Sequence, residues 1–543
     1  MLLCVANLND MLKKVLLLFP LIVVLLSAPS CARRGSITGG PKDTIAPQLL
    51  FSYPKNLSTN FSGTEIKLQF DEYIKLKDLQ KQLVVSPPMN SAPEILPQTA
   101  SKTLTIKIKD TLKPNTTYSF NFGQSIQDNN EGNPYSQFKY VISTGPTIDS
   151  LKLGVKIKDA LERKTDNFVS VMLYEVNAAY TDSIVYNKQP QYVINTLDSL
   201  KAVVLENLKA GKYRLIAVKD VNKNNKFDPK TEKIAFQKDY ISIPSDTIYE
   251  LELFNEKKKF KATTTSHLKS SRLLVGYHGN IEKAEIQLLR NSEKIPTQLT
   301  RVVGKDSAEV WFKASKGDSL TLQIRKDNSS KTFGFKVRDF KKDSLSLSVE
   351  PKGTLNFSDT LRIASSIPLT NWDLQKIKLS RKDSSAVAFK SNYDSFKKEF
   401  QFLFDKEPNQ KYRLEVLPGA FTDYLGNVND TLKYTTNTLD VSEYGNLKIN
   451  LERIKRFPLI VQLTDTQGKV KASAYSENSK SVSFDLIQPS KFFIRVIYDD
   501  DKDGYWTPGN YLEKRQSEEV IYHPVEVDVR SNWDVEQSVD VGG

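Results

Sequence analysis

Two acidic segments contain the side chains whose chemistry and spacing are most informative. In both segments, oxygen-bearing side chains recur at every second position. A chain that supplies carboxylate and amide oxygens in this way can wrap around Ca²⁺, which takes about six to eight oxygen ligands. The candidate ligands are Asp220, Asn222, Asn224, Asp228 and Glu232 in the first segment, and Asp499, Asp501 and Asp503 in the second. A structural calcium ion is therefore the only cofactor that these segments suggest, and binding of no cofactor is the alternative.

The second segment fits the pattern better in its first half, because Gly504 permits a sharp bend. Its terminal carboxylate is displaced, since Tyr511 occupies the expected spacing and Glu513 is the nearest acid. The alternative is a hairpin turn that is capped by its own Asp and Asn side chains and needs no metal. The sequence leaves both interpretations open.

Catalytic motifs are absent from the sequence. None of the histidines, His267, His278 and His523, has a partner at metal-binding spacing. Gly-x-Ser-x-Gly, a phosphate-binding glycine loop, His-Glu-x-x-His and Cys-x-x-Cys do not occur. We therefore expect no enzymatic activity, with a glycoside hydrolase, which needs only two carboxylates, as the less favoured alternative.

Four tryptophans could contact carbohydrate. Trp311, Trp372, Trp506 and Trp533 each offer a flat ring on which a sugar could stack, but each fits a hydrophobic core equally well. We favour core packing, and an exposed row of aromatic side chains would favour glycan binding instead.

The segment from Met11 to Cys31 predicts export. Lys13 and Lys14 precede an apolar run that is too short to span a bilayer, and small residues follow it. The end of this segment resembles a bacterial lipobox, which implies that Cys31 carries a lipid and becomes the mature N-terminus. Residues 1–30 are then a signal peptide, with the true start at Met11, and residues 31–45 form a flexible tether rich in Gly and Pro.

The net charge of +13 suits an anionic surface, but the lysines are dispersed along the chain rather than clustered. No nucleic-acid-binding motif is present, and we expect no nucleic-acid partner.

Alternating apolar residues predict strands throughout. Residues 46–146 show period two at Ile66, Leu68 and Phe70, which is typical of strands with one buried face. Their order resembles the SbsA-type bacterial Ig-like domain, on the segments YPKN (53–56), IKLQFDEYI (66–74), LTIKIKDTLKPNTTY (104–118), IQD (126–128), GN (132–133) and STG (143–145). The resemblance implies a fold and no activity.

Internal repeats extend this organisation. Asn60-Phe61-Ser62 recurs as Asn356-Phe357-Ser358, which makes residues 351–439 a second Ig-like module. Residues 212–220 align without gaps on residues 491–499, and Phe227 aligns on Trp506. Residues 147–256 and 440–537 are then copies of another sandwich, which resembles the transthyretin-like and carboxypeptidase-regulatory-like modules. Residues 257–350 alternate in the same manner and complete the row.

We therefore predict an all-β chain, a tandem array of about five Ig-like and transthyretin-like β-sandwiches after a lipoprotein signal. If the row were straight, it would reach on the order of 150–200 Å, at roughly 35 Å for each module.

A tripeptide of Asp, Ser or Thr, and an aliphatic residue is unusually dense. It resembles the O-glycosylation acceptor of exported Bacteroidota proteins, whose middle hydroxyl is modified. A turn acid followed by a residue that opens a strand gives the same pattern. The acceptors would be Thr44, Thr111, Ser150, Ser183, Ser199, Thr247, Ser307, Ser319, Ser344, Thr360 and Thr431.

These features together predict a lipid-anchored outer-membrane protein of the Bacteroidota type that binds or scaffolds. Its expected partners are the membrane and an outer-membrane β-barrel transport or assembly complex. A carbohydrate- or peptidoglycan-binding protein is the alternative. Arg33 and Arg34, beside the lipid site, leave the periplasmic or surface face undecided.

Overall fold

The computed structural model describes residues 42–197, 200–269, 271–338 and 343–542. The predicted signal peptide, Cys31, most of the tether and Ser199 lie outside these residues. The prediction of an all-β chain of tandem sandwiches is confirmed, since strands build every sheet and the two α-helices among the described residues have four residues each. No helix in the described ranges combines the length and apolarity that a bilayer span requires.

The first module is a two-sheet sandwich. One sheet has the order β1-β2-β5-β4, with β7 also on β2, and the other has the order β3-β6-β8. The alternating apolar residues of both sheets, including Leu68, Leu104 and Phe120, form one buried core. Its elements are β1 (Leu49–Tyr53), β2 (Glu65–Leu76), α1 (Leu79–Gln82), β3 (Val84–Ser86), β4 (Glu94–Leu96), β5 (Ser101–Lys107), β6 (Thr117–Asn121), β7 (Ile126–Asp128) and β8 (Lys139–Ser143).

The second module pairs a five-stranded sheet, β11-β10-β13-β14 with β15 on β13, with the sheet β12-β9-β16. Strands β9 and β16 are parallel, whereas the other pairs are antiparallel. Its elements are β9 (Leu151–Asp159), β10 (Ser170–Glu175), α2 (Ile184–Asn187), β11 (Tyr192–Asn195), β12 (Ala202–Leu208), β13 (Gly211–Val218), β14 (Ile234–Phe236), β15 (Ile241–Ile243) and β16 (Tyr249–Leu253).

The third module has two four-stranded sheets, β17-β18-β22-β21 and β20-β19-β23-β24. Its core includes Val275, Val310 and Leu322, and Trp311 is fully buried beside it. Its strands are β17 (Lys261–Lys269), β18 (Arg272–His278), β19 (Glu285–Arg290), β20 (Glu293–Ile295), β21 (Thr297–Arg301), β22 (Ser307–Phe312), β23 (Ser319–Lys326) and β24 (Ser329–Lys336).

The fourth module begins earlier than the expected residue 351. Strand β25 pairs with β26, and Val349 packs in the fourth core, so residues 345–350 belong to this module. The elements are β25 (Leu347–Glu350), β26 (Leu361–Ser365), β27 (Leu369–Trp372), a 3₁₀ turn (Leu374–Lys376), β28 (Ile377–Ser380), β29 (Lys390–Asp394), β30 (Glu399–Leu403), β31 (Lys411–Val416), β32 (Phe421–Asp423) and β33 (Leu432–Asn437).

The last module extends beyond the expected residue 537, because β41 continues to Asp540 and Val541 lies in the core. A 3₁₀ turn (Val441–Glu443) leads into it. Its strands are β34 (Gly445–Glu452), β35 (Leu459–Thr464), β36 (Val470–Ser476), β37 (Ser481–Ile487), β38 (Ser490–Tyr498), β39 (Val520–Tyr522), β40 (Val527–Val529) and β41 (Asp534–Asp540).

The modules form two topological pairs. The sheets β36-β35-β38-β39, with β40 on β38, and β37-β34-β41 of the last module reproduce the strand order of the second module, including one parallel pair. The orders β25-β26-β30-β29 and β28-β31-β33 of the fourth module likewise reproduce those of the first. These orders match the two repeats in the sequence.

The modules do not lie in a straight row. Tyr511 of the last module packs in one apolar cluster with Phe236 and Phe254 of the second. The length given for a straight row therefore does not apply, because the last module folds back onto the second and brings residues more than 250 positions apart into contact.

Candidate functional site

The acidic loop of the last module follows directly from strand β38. Asp499, which is 1% exposed, accepts hydrogen bonds from the backbone N–H groups of Asp503 (3.2 Å) and Gly504 (3.0 Å). Gly504 has a φ of 78°, the left-handed conformation that glycine adopts without strain. The buried aspartate thus holds the bend that the sequence predicted.

Glu518 closes this loop from its far end. Its carboxylate accepts hydrogen bonds from the N–H groups of Asp500 (2.7 Å), Asp501 (3.3 Å) and Thr507 (2.8 Å), and it is 6% exposed. One ligand oxygen from each of Asp499, Asp501 and Glu518 lies within 4.8 Å of the other two. These three carboxylates are the group that could hold a cation.

Two residues differ from the expected ligand set. Asp503 is outside the group and accepts the N–H of Tyr505 at 2.7 Å. Glu513, which the sequence offered as the nearest acid, is exposed and lies 3.5 Å from Arg515. The sequence pattern did not indicate Glu518, because Glu518 lies seven positions beyond the place that the spacing between Asp220 and Glu232 predicts.

The second module contains the same loop. Asp220 accepts from Asn224 N (3.2 Å) and Asn225 N (2.8 Å). Glu232 accepts from the N–H groups of Val221 (3.0 Å), Asn222 (3.2 Å) and Asp228 (2.8 Å). Glu232 is therefore the counterpart of Glu518, and this correspondence was the signal that could have located Glu518 in the sequence.

Asn224 and Asp228 of this first loop cap turns with their side chains, whereas Asn222 takes part through its backbone N–H. Asn224 Oδ1 accepts the N–H of Lys226 (2.8 Å), and Asp228 Oδ1 accepts that of Lys230 (2.9 Å). No group of three metal-ligating acids or histidines was found in the second module within the described ranges. The structure thus brings three carboxylates together in the last module, and no such group of three occurs in the described part of the second.

Burial dominates the electrostatics of both loops. It raises the pKa of Glu232 and that of Glu518, although backbone hydrogen bonds oppose the shift in each. Of the ion pairs between described residues, none includes Asp499, Asp501 or Glu518. Ca²⁺ would compensate this buried charge, so the residues fit the ion, while the same hydrogen bonds form a self-capped turn. Calcium stays a prediction.

The two loops differ in length. Glu232 follows Asp228 by four positions, whereas Glu518 follows its counterpart Thr507 by eleven. The last module therefore carries seven additional residues between the turn and its closing glutamate. We call residues 508–517 the insertion.

The insertion docks on the second module. Tyr511, which is 1% exposed, donates its backbone N–H to Glu256 Oε1 at 2.6 Å. Its ring lies 5.3 Å from that of Phe236, and its hydroxyl lies 3.4 Å from that of Tyr180. Gln516 donates to the carbonyl of Phe236 at 2.9 Å. An acidic loop of one repeat thus reaches the sheet of the other.

A second contact lies beside the first. Tyr522 donates its hydroxyl to the carbonyl of Leu161 at 3.1 Å, and the Arg163 guanidinium stacks 3.9 Å from the centre of the Phe493 ring. Arg495, which is 5% exposed, also reaches the Leu161 carbonyl, at 3.4 Å. The two contacts fix the last module at more than one point.

A groove of about 1070 Å³ lies between the first and second modules and is lined by residues of both. Apolar side chains such as Leu83, Met89 and Phe168 line it together with the first acidic loop. Asp220 faces the groove and Glu232 does not. Both oxygens of Asp220 already accept backbone N–H groups, so the groove does not contain a free pair of carboxylates at this loop.

Three of the four tryptophans pack against protein. Trp311 is buried and donates to Thr300 at 2.9 Å, Trp372 packs on Phe400, and Trp506 donates to the Glu518 carbonyl at 3.2 Å. Trp533 is 54% exposed and lies beside Arg530. Core packing therefore accounts for these three but not for Trp533.

The histidines lie apart. His267 packs between the rings of Phe312 and Phe335, His278 is exposed at the end of β18, and burial lowers the pKa of His523. None of them enters a metal-ligand group in the described part of the chain.

The predicted glycan acceptors differ in accessibility. Ser307 is buried at 8% exposure in the β18–β22 ladder, so its hydroxyl is not an accessible acceptor in this fold. Thr360 is partly exposed. Exposed positions are Thr44, Thr111, Ser150, Ser183, Thr247, Ser319, Ser344 and Thr431.

Several solved structures are similar at low identity. The S-layer protein SbsC, domains 1–6, is 9% identical and covers 89% of this chain and 67% of its own, with a TM-score of 0.16. The major pilin subunit BcpA of Bacillus cereus is 11% identical, and the match covers 72% of this chain and 99% of the pilin, with a TM-score of 0.14. SGBP-B of a Bacteroides ovatus mixed-linkage glucan utilization locus, in complex with a heptasaccharide, is 12% identical. The match covers 69% of this chain and 93% of SGBP-B, with a TM-score of 0.18.

No curated protein matches the chain significantly. The model of the bacterial Ig-like domain matches residues 43–144, which are the first module. This chain is thus a multi-module protein whose first module is a bacterial Ig-like domain.

Proposed function

We propose that the protein is a lipid-anchored, non-enzymatic scaffold of the cell envelope, which docks on an outer-membrane β-barrel transport or assembly complex. The observation that supports a scaffold is the contact between the last and second modules. Tyr511, Gln516 and Tyr522 connect modules at the two ends of a four-module segment. Such a closure holds the surfaces of modules two to five in fixed relation, as a scaffold requires.

The absence of catalysis is supported by the state of the buried acids. A glycoside hydrolase must present two carboxylates to its substrate. In each acidic loop the first aspartate and the closing glutamate accept backbone N–H groups of the same loop. Carboxylates held in this way stabilise a turn and are poorly placed to exchange protons with a ligand.

Lipid attachment is tested at Cys31. Metabolic palmitate labelling should be lost in Cys31→Ala, and the protein should move to the soluble fraction or keep its signal. Ser36→Ala, in the tether close to Cys31, is the matched control and should label normally. Labelling that persists in Cys31→Ala would contradict the anchor.

The partner is tested by purification of a tagged copy in mild detergent. A docked scaffold buries about 1,000 Å² or more against its partner and should retain one outer-membrane barrel near stoichiometrically. Elution alone, under conditions that preserve other envelope complexes, would contradict the scaffold.

A glycan-binding protein is the second candidate. Three exposed aromatic side chains favour it, namely Phe51, Tyr53 and Tyr73 of the first module. Binding of soluble peptidoglycan or outer-membrane oligosaccharide that is lost in Tyr73→Ala would support this candidate over the scaffold.

A further inference from the structure

One edge of the first module exposes a run of apolar side chains. Leu50 and Phe51 are each 62% exposed, Tyr53 is 76% exposed and Leu57 is 60% exposed. We call these four residues the apolar strip. Leu50, Phe51 and Tyr53 lie on β1, which is the edge strand of its sheet and spans about 17 Å. Leu57 follows that strand, and its N–H donates to the carbonyl of Val141 in β8. Four such side chains within eight residues are denser than scattered surface hydrophobics, and dense exposed apolar residues mark contact sites.

A β-bulge creates the strip. The register between β1 and β2 shifts between Leu49 and Phe51, so Leu50 is an additional residue without a partner. In a regular strand, neighbouring side chains point to opposite faces, and one of Leu50 and Phe51 would be directed inward. Because a bulge breaks this alternation, both side chains are exposed.

The fourth module shows that the fold does not require apolar residues at the positions of Phe51 and Tyr53. Its edge strand β25 occupies the position of β1, and the carbonyl of the proline that follows each strand accepts a tyrosine hydroxyl. The register places Ser348 where Phe51 lies and Glu350 where Tyr53 lies. The edge strand of the fourth module thus carries polar residues at both outward positions. Folding of the sandwich therefore does not explain the apolar side chains at these two positions of the first module.

We propose that the apolar strip rests on the phospholipid surface of the membrane that holds the lipid anchor, and that it seats the first module on the bilayer. This inference rests on the proposed anchor at Cys31. Eleven residue steps separate Cys31 from Lys42, where the described chain begins, and a fully extended chain of that length spans at most about 40 Å. The first module therefore cannot leave the vicinity of the bilayer.

The chemistry of the strip favours lipid over the other occupants. Leu50 and Leu57 offer no flat ring for a sugar, whereas mixed aromatic and aliphatic side chains suit the boundary between headgroups and acyl chains. Lys55 stands between Tyr53 and Leu57, where its ammonium can meet lipid phosphate. Acidic groups lie at the opposite end of β1, where Asp71 accepts the N–H of Gln48 at 2.8 Å.

The experiment uses site-specific fluorescence. The mature chain has no cysteine other than Cys31, so Tyr53→Cys can be labelled singly with an environment-sensitive dye. The control is Val303→Cys in the third module, because Val303 is 77% exposed and Tyr53 is 76% exposed. The lipidated full chain is reconstituted in vesicles of phosphatidylethanolamine and phosphatidylglycerol that contain lipids with a quencher on the acyl chain.

We expect the dye at position 53 to shift to the blue and to be quenched at least threefold more than the dye at 303, with little change in high salt. In the labelled Tyr53→Cys chain, the further substitutions Leu50→Ser and Phe51→Ser should together reduce the quenching of the dye to the level at position 303. Equal quenching at 53 and 303 in protein that floats with the vesicles overturns the inference and leaves the anchor intact.

Protein that does not float overturns the anchor and, with it, this inference. A dye at 53 that is unquenched by lipid but shielded by added oligosaccharide assigns the strip to glycan. One that is shielded only in a purified complex with a barrel protein assigns it to protein. Either outcome overturns the lipid proposal.

Discussion

At the residue scale, the two acidic loops show what a buried carboxylate needs. Asp499 and Glu518 each accept at least two backbone N–H groups, which lowers the cost of their burial without removing their charge. The loop of the last module adds Asp501 within 4.8 Å and so concentrates three negative charges, whereas no such group occurs at the described loop of the second module. A divalent cation should therefore stabilise the last module more than the second.

Calcium is predicted to raise the melting temperature of the full chain. Occupancy at a hundredfold excess over Kd contributes about 2.7 kcal/mol to stability. Glu518→Gln should abolish this gain, while Glu513→Gln, which changes an exposed acid of the same loop, should retain it. Calorimetry with calcium and with chelator provides the measurement. Melting that is indifferent to both would favour the self-capped turn.

The sequence predicted the first half of this site and missed its end. Alternating acids at 499, 501 and 503 identified the turn, because the ligand positions of a tight bend are local. Glu518 was missed, since an insertion of variable length stands between it and the turn. Aligning Glu232 with an acid beyond the insertion would have found it. Asp503 was included among the candidate ligands because spacing alone does not reveal which carboxylate accepts a hydrogen bond within the turn.

At the element scale, the insertion determines how the modules are connected. Tyr511 leaves its own module and fills a position among Phe236, Tyr186 and Phe254 of the second. Its length was visible in the sequence as a gap between the repeats. Its partner was not, because a tyrosine in a loop carries no local mark of the surface that buries it.

Tyr511→Ala is predicted to weaken the docking of the last module by about 3 kcal/mol, the usual cost of truncating a buried aromatic side chain. The free energy of unfolding of this module, measured by denaturant titration, should fall accordingly. Tyr505→Ala, at a position that is 76% exposed in the same loop, should stay within about 0.5 kcal/mol of the wild type. Equal effects of the two substitutions would contradict the docking.

The same contact should depend on pH. Burial raises the pKa of Glu256 above its ordinary 4.5, so the docked state binds a proton that the separated modules release. Docking should strengthen as the pH falls from neutral towards 4.5, and this gain is lost as the pH rises through the raised pKa. Melting profiles across acid pH should show the gain, and Glu256→Gln should remove it.

The neighbouring Asp182 acts in the opposite direction at lower pH. Although burial acts to raise its pKa, hydrogen bonds from Lys514 and Tyr180 hold it below 3.8. Its contribution to docking is present above 3.8 and is lost as the pH falls through the lowered pKa. A free energy of docking that does not fall as the pH drops below 3.8 would contradict this role of Asp182.

At the scale of the whole molecule, the repeats predicted the composition of the chain but not its arrangement. Strand alternation and two sequence repeats were sufficient to anticipate five sandwiches, because each sandwich is determined by local periodicity and its own core. The sequence did not reveal the closure of the chain, because closure depends on contacts such as that between Tyr511 and Glu256, which are 255 residues apart. Module boundaries at 350 and 537 were also misplaced, since strand pairing rather than composition determines them.

We predict that one added methyl group separates the last module from the second. A Cβ added at Gly509 would lie 2.4 Å from the Phe254 ring and 2.8 Å from the Arg515 carbonyl, so Gly509→Ala should separate the insertion from the second module. Gly334→Ala is the control, because a Cβ there has no neighbour within 4 Å. Small-angle X-ray scattering of the two variants should show a larger radius of gyration for Gly509→Ala alone. Because each module retains its own core, the melting of the first module should not change. Identical scattering from both variants would mean that the insertion does not hold the chain closed.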